Sequence, residues 1–183
     1  MTVVPRPPDP GAFAPFGEFI DPPEEFGERA VFSDWLAPVP SRVQQCHVNR
    51  VARTALPLSL DLVECHPHAA QVFIPMGEVS RYLVVVMPSS STGGPDPPGA
   101  EAFIVQGSRG VSYAPGTWHT GIIALDADAS FAVFMWRGGE DDELFVSIPP
   151  LEISDLELGS APSSDACSRS RSYRTDAAPV ACC

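Results

Sequence analysis

The sequence predicts an all-β barrel or sandwich with few short helices, and three observations carry that reading. Its 183 residues are 44% hydrophobic, enough to bury one substantial core and too few for two comfortable domains. The apolar residues fall in short runs of strand length. Turn residues separate those runs at close intervals, as expected of strands that return on one another.

In chain order, the first twelve residues are proline-rich and read as a loose segment. Phe13-Ala14-Pro15-Phe16-Gly17-Glu18-Phe19-Ile20 could pack an edge onto the core, and Pro22-Pro23 ends it. The strands expected from Ser41 onward are Leu56 to Leu62, Gln71 to Pro75, Tyr82 to Met87, Ala102 to Gln106, Gly121 to Leu125 and Phe131 to Trp136. Ser89 through Gly99 reads as a surface loop and Gly138 to Glu143 as an acidic turn. The domain therefore spans 13–159. Residues 160–183 lack the hydrophobicity to fold alone and read as a disordered, solubilising tail carrying Arg169, Arg171 and Arg174.

A formal net charge of -12 excludes a nucleic-acid partner, because phosphate binding needs a basic surface. An anionic membrane surface is disfavoured for the same reason. The longest apolar run, Tyr82 to Met87, has the length of a buried strand and not of a membrane span. All 11 basic residues are arginine, so Schiff-base chemistry and a phosphate-loop lysine are both excluded. Five scattered cysteines form no CxxC pair and no disulfide framework, and the first residues lack the order of a secretory signal. These features place the chain in the cytosol with a small molecule as its partner.

The residues able to do chemistry gather in two places. The turn Tyr113-Ala114-Pro115-Gly116-Thr117-Trp118-His119 aims a histidine off the end of an apolar strand. Upstream, Glu64-Cys65-His66-Pro67-His68 alternates, so that Glu64, His66 and His68 share a face if the strand is regular, and Gln71 rejoins that face if the strand bulges. Two histidines and a Glu or Gln from one motif, with one histidine from a second, is the spacing of a cupin metal site. His66, His68, Gln71 and His119 are then candidate ligands for a divalent nickel, manganese, zinc or iron ion, or else a hydrogen-bonded cluster in a barrel mouth. Glu64 could act as general base, orienting group or ligand. Arg50 and Arg137 are the candidates for gripping a carboxylate. Tyr113 and Trp118 could be core or pocket wall. His47 reads as structural and Cys65 as buried.

Several motifs occur together in a family order. They are Glu64-Cys65-His66-Pro67, Gln71-Val72-Phe73-Ile74-Pro75-Met76, Tyr82-Leu83-Val84-Val85-Val86, Ala102-Phe103 and the segment from Gly107 to His119, with Phe16-Gly17-Glu18 and Asn49-Arg50 before them. From about Phe13 to Ile148 the chain resembles the ureidoglycolate lyase family. It looks closer to the fungal branch, since Ala114, Thr120, Gly121 and Trp136-Arg137 stand where the bacterial form has other residues. The resemblance implies a cupin-like β-barrel, a homodimer, and cleavage of (S)-ureidoglycolate to glyoxylate and urea in allantoin and purine degradation. It also implies proton transfer by Glu64, His66 or His119, a carboxylate grip by Arg50, and a substrate hydroxyl polarised through any metal held by His66, His68, Gln71 and His119. Cys65 replaces a basic residue of the family pattern, and Trp136 adds apolar bulk. Those two departures raise a second expectation, a divergent cupin isomerase, cyclase or lyase acting on a larger, less polar substrate in secondary metabolism.

Overall fold

The computed structural model describes residues 1–33 and 36–155, and the expected 160–183 tail lies outside them. The strands are β1 (Thr2–Val3), β2 (Gly17–Ile20), β3 (Val43–Val51), β4 (Arg53–Thr54), β5 (Leu58–Cys65), β6 (Gln71–Met76) and β7 (Arg81–Met87). They continue with β8 (Glu101–Gln106), β9 (Gly110–Tyr113), β10 (Trp118–His119), β11 (Ile123–Leu125), β12 (Ala129–Arg137) and β13 (Leu144–Ile153). A four-residue helix, α1 (Pro10–Phe13), is capped by the Asp9 side chain, and a 3-10 turn covers Pro97–Gly99. The all-β expectation holds, as two sheets facing one another in a cupin-like arrangement. One sheet runs β1-β13-β5-β10-β7-β11-β4 with β8 also on β7, and the other runs β2-β9-β6-β12-β3.

The continuous apolar run of β7 places this strand at the centre. Tyr82, Val84 and Val86 point between the sheets, where they meet Phe73, Val111, Tyr113, Phe131 and Val133 of the second sheet. Leu83, Val85 and Met87 point the other way into a second cluster with Val63, Trp118, Leu151 and Ile153. A strand buried on both faces needs no polar alternation, which is why it reads as an unbroken run. Each of these side chains contributes about 1.5–3 kcal/mol when withdrawn from water.

Three elements differ from the expectation. The first residues are not loose: β1 pairs with β13, and the Arg6 backbone donates to Ala102 O and accepts from Ile104, both on β8. Backbone hydrogen bonds, which need no apolar side chain, tie the proline-rich segment across the second core. β3 escapes a hydrophobicity reading because it is a largely exposed edge strand, paired among the described residues only with β12. β13 hides behind Pro149-Pro150, which would not fit a regular ladder, and the register shifts between Ser147 and Leu151 to accommodate them.

Gly17 has φ +145°, and a Cβ there would lie 1.9 Å from the Ser112 carbonyl oxygen. Close approach of β2 to β9 therefore demands glycine. Gly17→Ala is expected to cost about 3 kcal/mol, read as a lowered urea midpoint at unchanged m-value.

Candidate active site

Two cross-strand pairs build the site at one end of the space between the sheets. Glu64 on β5 stands directly opposite His119 on β10, and Gln71 on β6 stands directly opposite Tyr113 on β9. The pairs face each other. Gln71 Oε1 lies 2.9 Å from His119 Nε2, and Glu64 Oε1 lies 3.3 Å from the same nitrogen. The Tyr113 ring stacks on the imidazole with centroids 4.1 Å apart and planes 20° from parallel. His66, the first residue after β5, brings its ring centroid to 5.6 Å from that of His119.

Local chain chemistry fixes this convergence. Gly116, at φ +81°, turns the chain between β9 and β10, and its N–H donates to the His66 carbonyl at 2.9 Å. The Thr117 hydroxyl donates to the Phe16 carbonyl at 2.9 Å. The turn that carries His119 is thus fastened directly to the segment that carries Glu64 and His66.

Hydrogen-bond accounting settles which ring nitrogens face the centre. His119 Nδ1 lies 2.9 Å from Thr117 O and His66 Nδ1 lies 3.1 Å from Asp142 O. Carbonyl oxygens only accept, so each Nδ1 carries the hydrogen. In the neutral rings both Nε2 atoms are then bare, and that of His66 is buried without a hydrogen-bond partner. Glu64, His66 and His119 each offer a ligand atom, all within 4.8 Å of one another. An Nδ1–H donated to a backbone carbonyl is the usual support of a metal-ligating imidazole, and two nitrogens with carboxylate and amide oxygens suit nickel, manganese, zinc or iron. These residues fit a divalent cation. Without one between them, His119 Nε2 satisfies its two oxygen neighbours only as a proton donor.

Burial pushes the Glu64 carboxyl up, but the hydrogen bond and charge of His119, with His66 and Arg137, hold it below the usual carboxylate range. Burial, followed by the charge of His119, pushes His66 down. Burial also pushes the Tyr113 hydroxyl well up, so this ring presents a neutral face to His119. Of these groups Glu64 lines a cavity of about 270 Å³, together with His47, Asn49, Gln71, Arg137 and Glu143, while His66, Tyr113 and His119 are buried beside it. Within it, Arg137 donates to Glu143 through both Nη atoms, at 3.1 and 2.7 Å.

The family model described as ureidoglycolate lyase matches residues 1–153. This chain belongs to the ureidoglycolate lyase family. The ureidoglycolate lyase of Burkholderia cepacia is 38% identical over 143 residues, covering 70% of this chain and 75% of the relative. That of a Chelativorans species is 37% identical over 154 residues, 78% of this chain and 90% of the relative. A Schizosaccharomyces pombe ureidoglycolate lyase is 34% identical over 88 residues, 45% of this chain and 46% of the relative.

Within this ureidoglycolate lyase-family fold, three residues singled out in the sequence are not brought to the site. His68 falls beyond β5, which ends at Cys65, so strand alternation does not carry it inward; it is half-exposed, 2.6 Å from Asp141. Arg50 is 76% exposed and pairs loosely with Asp128 at 3.5 Å. Trp118 alternates with His119 and packs in the second core, where its indole N–H donates to Gly93 O. Cys65 also faces that core, and burial pushes its thiol up to about 11. Trp136 donates to Leu36 O, on the face of β12 opposite the cavity side occupied by Arg137. His47, Asn49 and Glu143 line the cavity and were missed as functional residues. Apart from the place of Asn49-Arg50 in the family order, the two-residue spacing of His47 and Asn49 was their signal, since on a strand it puts both on one face.

Both depressed groups bear on acid stability with the same sign. The unfolded chain takes up a proton at His66 before the folded chain does, so stability falls as pH drops below about 6.5. Glu64 adds a further loss as pH falls from about 4.5 through its lower folded value. Urea midpoints measured from pH 7 to 4 should decline accordingly. His66→Asn should flatten the upper part of that decline and Glu64→Gln the lower.

Proposed function

We propose that this chain cleaves (S)-ureidoglycolate to glyoxylate and urea, as a carbon–nitrogen lyase of the amidine-lyase type in allantoin and purine degradation. The observation that carries this reading is the Glu64–His119 pair, whose carboxylate lines a small polar cavity that also holds Arg137. The family and the names of the relatives support it.

The reaction collapses a carbinolamide-type carbon. Glu64, kept ionised, accepts the proton of the substrate hydroxyl. The carbonyl of glyoxylate forms as the carbon–nitrogen bond breaks, and the electron pair leaves on the urea nitrogen. His119 returns a proton to that nitrogen and is itself replenished across its 3.3 Å contact with Glu64, so one proton moves from oxygen to nitrogen overall. Gln71 and the Tyr113 ring hold the imidazole in place. Arg137 retains N–H groups beyond those given to Glu143 and takes the substrate carboxylate. Asn49 and His47, on β3 beside the strand that carries Arg137, meet the ureido end. A divalent cation held by Glu64, His66 and His119, with Gln71 beside them, would take the place of the proton on His119 Nε2 and would supply instead stabilisation of negative charge on the hydroxyl oxygen, in a cavity where Glu64 and Glu143 outnumber Arg137.

The second expectation rested on Cys65 and Trp136, and both point away from the cavity. No observation favours a larger, less polar substrate. Exposed Leu62, Leu144 and Phe145 on the neighbouring strands β5 and β13 support a homodimer, and we place the enzyme in the cytoplasm. No helix among the described residues is long and apolar enough to cross a membrane.

Purified protein should release glyoxylate from (S)-ureidoglycolate; none, with or without added nickel or manganese, overturns the reading. Arg137→Ala should raise KM about 10- to 100-fold with a smaller change in kcat. Arg50→Ala should leave kcat/KM within about twofold, because its side chain is directed to solvent although its neighbours Asn49 and Val51 line the cavity.

A further inference from the structure

The acidic turn between β12 and β13 makes contacts through three consecutive residues, the first with His68 outside the site and the next two with the site itself. Asp141 lies 2.6 Å from His68 Nε2, the Asp142 carbonyl accepts from His66 Nδ1 at 3.1 Å, and Glu143 holds Arg137 at 2.7 Å. Arg42, just before β3, fastens the turn in its turn. Its Nε donates to the Asp142 carboxylate and its Nη2 donates to Asp141 at 2.9 Å. The other Asp142 oxygen accepts the N–H of Gly138 and, at 2.8 Å, that of Gly139. The Arg42 and Asp142 side chains are only 13% and 9% exposed.

A withdrawn ion pair is costly unless its hydrogen bonds are filled, and here both Asp142 oxygens are occupied. Burial alone would push the Asp142 carboxyl up; Arg42 and the two glycine N–H groups bring it down to about 2. The turn is therefore locked, and the Asp142 carbonyl has one direction. That carbonyl is also what puts the hydrogen of His66 on Nδ1. A free neutral imidazole prefers the hydrogen on Nε2, which would aim an N–H instead of a lone pair at Glu64 and His119.

We propose that Arg42 and Asp142 are positioning residues that set the His66 tautomer, and through it the availability of the His66 Nε2 lone pair to a divalent cation. The proposal does not depend on which substrate the site takes. His119 supplies an internal control, because its Nδ1 bonds to Thr117 O within its own turn and makes no contact with the acidic turn.

The test is long-range proton–nitrogen NMR of the histidine rings in metal-free protein, together with zinc titration, on wild type, Arg42→Gln, Asp142→Ala and the milder Asp142→Asn. Wild type should show His66 with hydrogen on Nδ1. The variants should shift His66 toward hydrogen on Nε2 and weaken zinc binding about 10- to 100-fold, with the His119 pattern unchanged. Arg42→Lys should restore part of the effect, since an ammonium reaches one carboxylate without the planar fork. If Arg42→Gln or Asp142→Ala fails to fold, Asp142→Asn carries the same readout. An unchanged His66 tautomer and zinc affinity in a folded variant would overturn the proposal, as would an equal shift of His119.

Discussion

The register of two antiparallel strand pairs governs everything else in this molecule. Glu64 opposite His119 in one sheet and Gln71 opposite Tyr113 in the other place four functional side chains on facing surfaces. A slip of one residue in β5 or β10 would turn them to the other face. Cys65 and Trp118 show what lies there, a dry second core. The contacts from Gly116 to His66 and from Thr117 to Phe16 prevent that slip by fixing the start of β10 to the end of β5 and to the chain before β2.

Gathering a carboxylate, an amide oxygen and two imidazole nitrogens in a buried place is electrostatically unfavourable unless positive charge joins them. The fold meets that requirement in layers. Backbone carbonyls take the Nδ1 hydrogens, Arg137 offsets the cavity carboxylates, and the Nε2 atoms are left for a proton or a cation. Such an arrangement suits the acid–base chemistry proposed for it on a small polar anion, whereas the thiol of Cys65 faces the second core with its ionisation suppressed.

Much of this was legible in the sequence because unbroken apolar runs and a Pro-Gly turn have few alternative structures. β7 and the turn before His119 are the clearest cases. Alternation failed where strand ends matter: β5 stops at Cys65, so His66 reaches the cluster from a bend and His68 does not. On β3 the exposed edge hid the strand, and with it the phase that puts Asn49 in the cavity and Arg50 in solvent. Glu143 was invisible for another reason. Its role comes from an ion pair with Arg137 across the β12–β13 turn, and a run of acidic residues in sequence does not say which one turns inward.

The central claim is that Glu64 and His119 act as one unit. A double-mutant cycle on kcat/KM, with Glu64→Gln, His119→Gln and the combined variant, tests it most directly. Strong non-additivity is predicted, with the double variant no worse than the poorer single one by more than about threefold. Losses that simply multiply would show two independent groups and contradict the account.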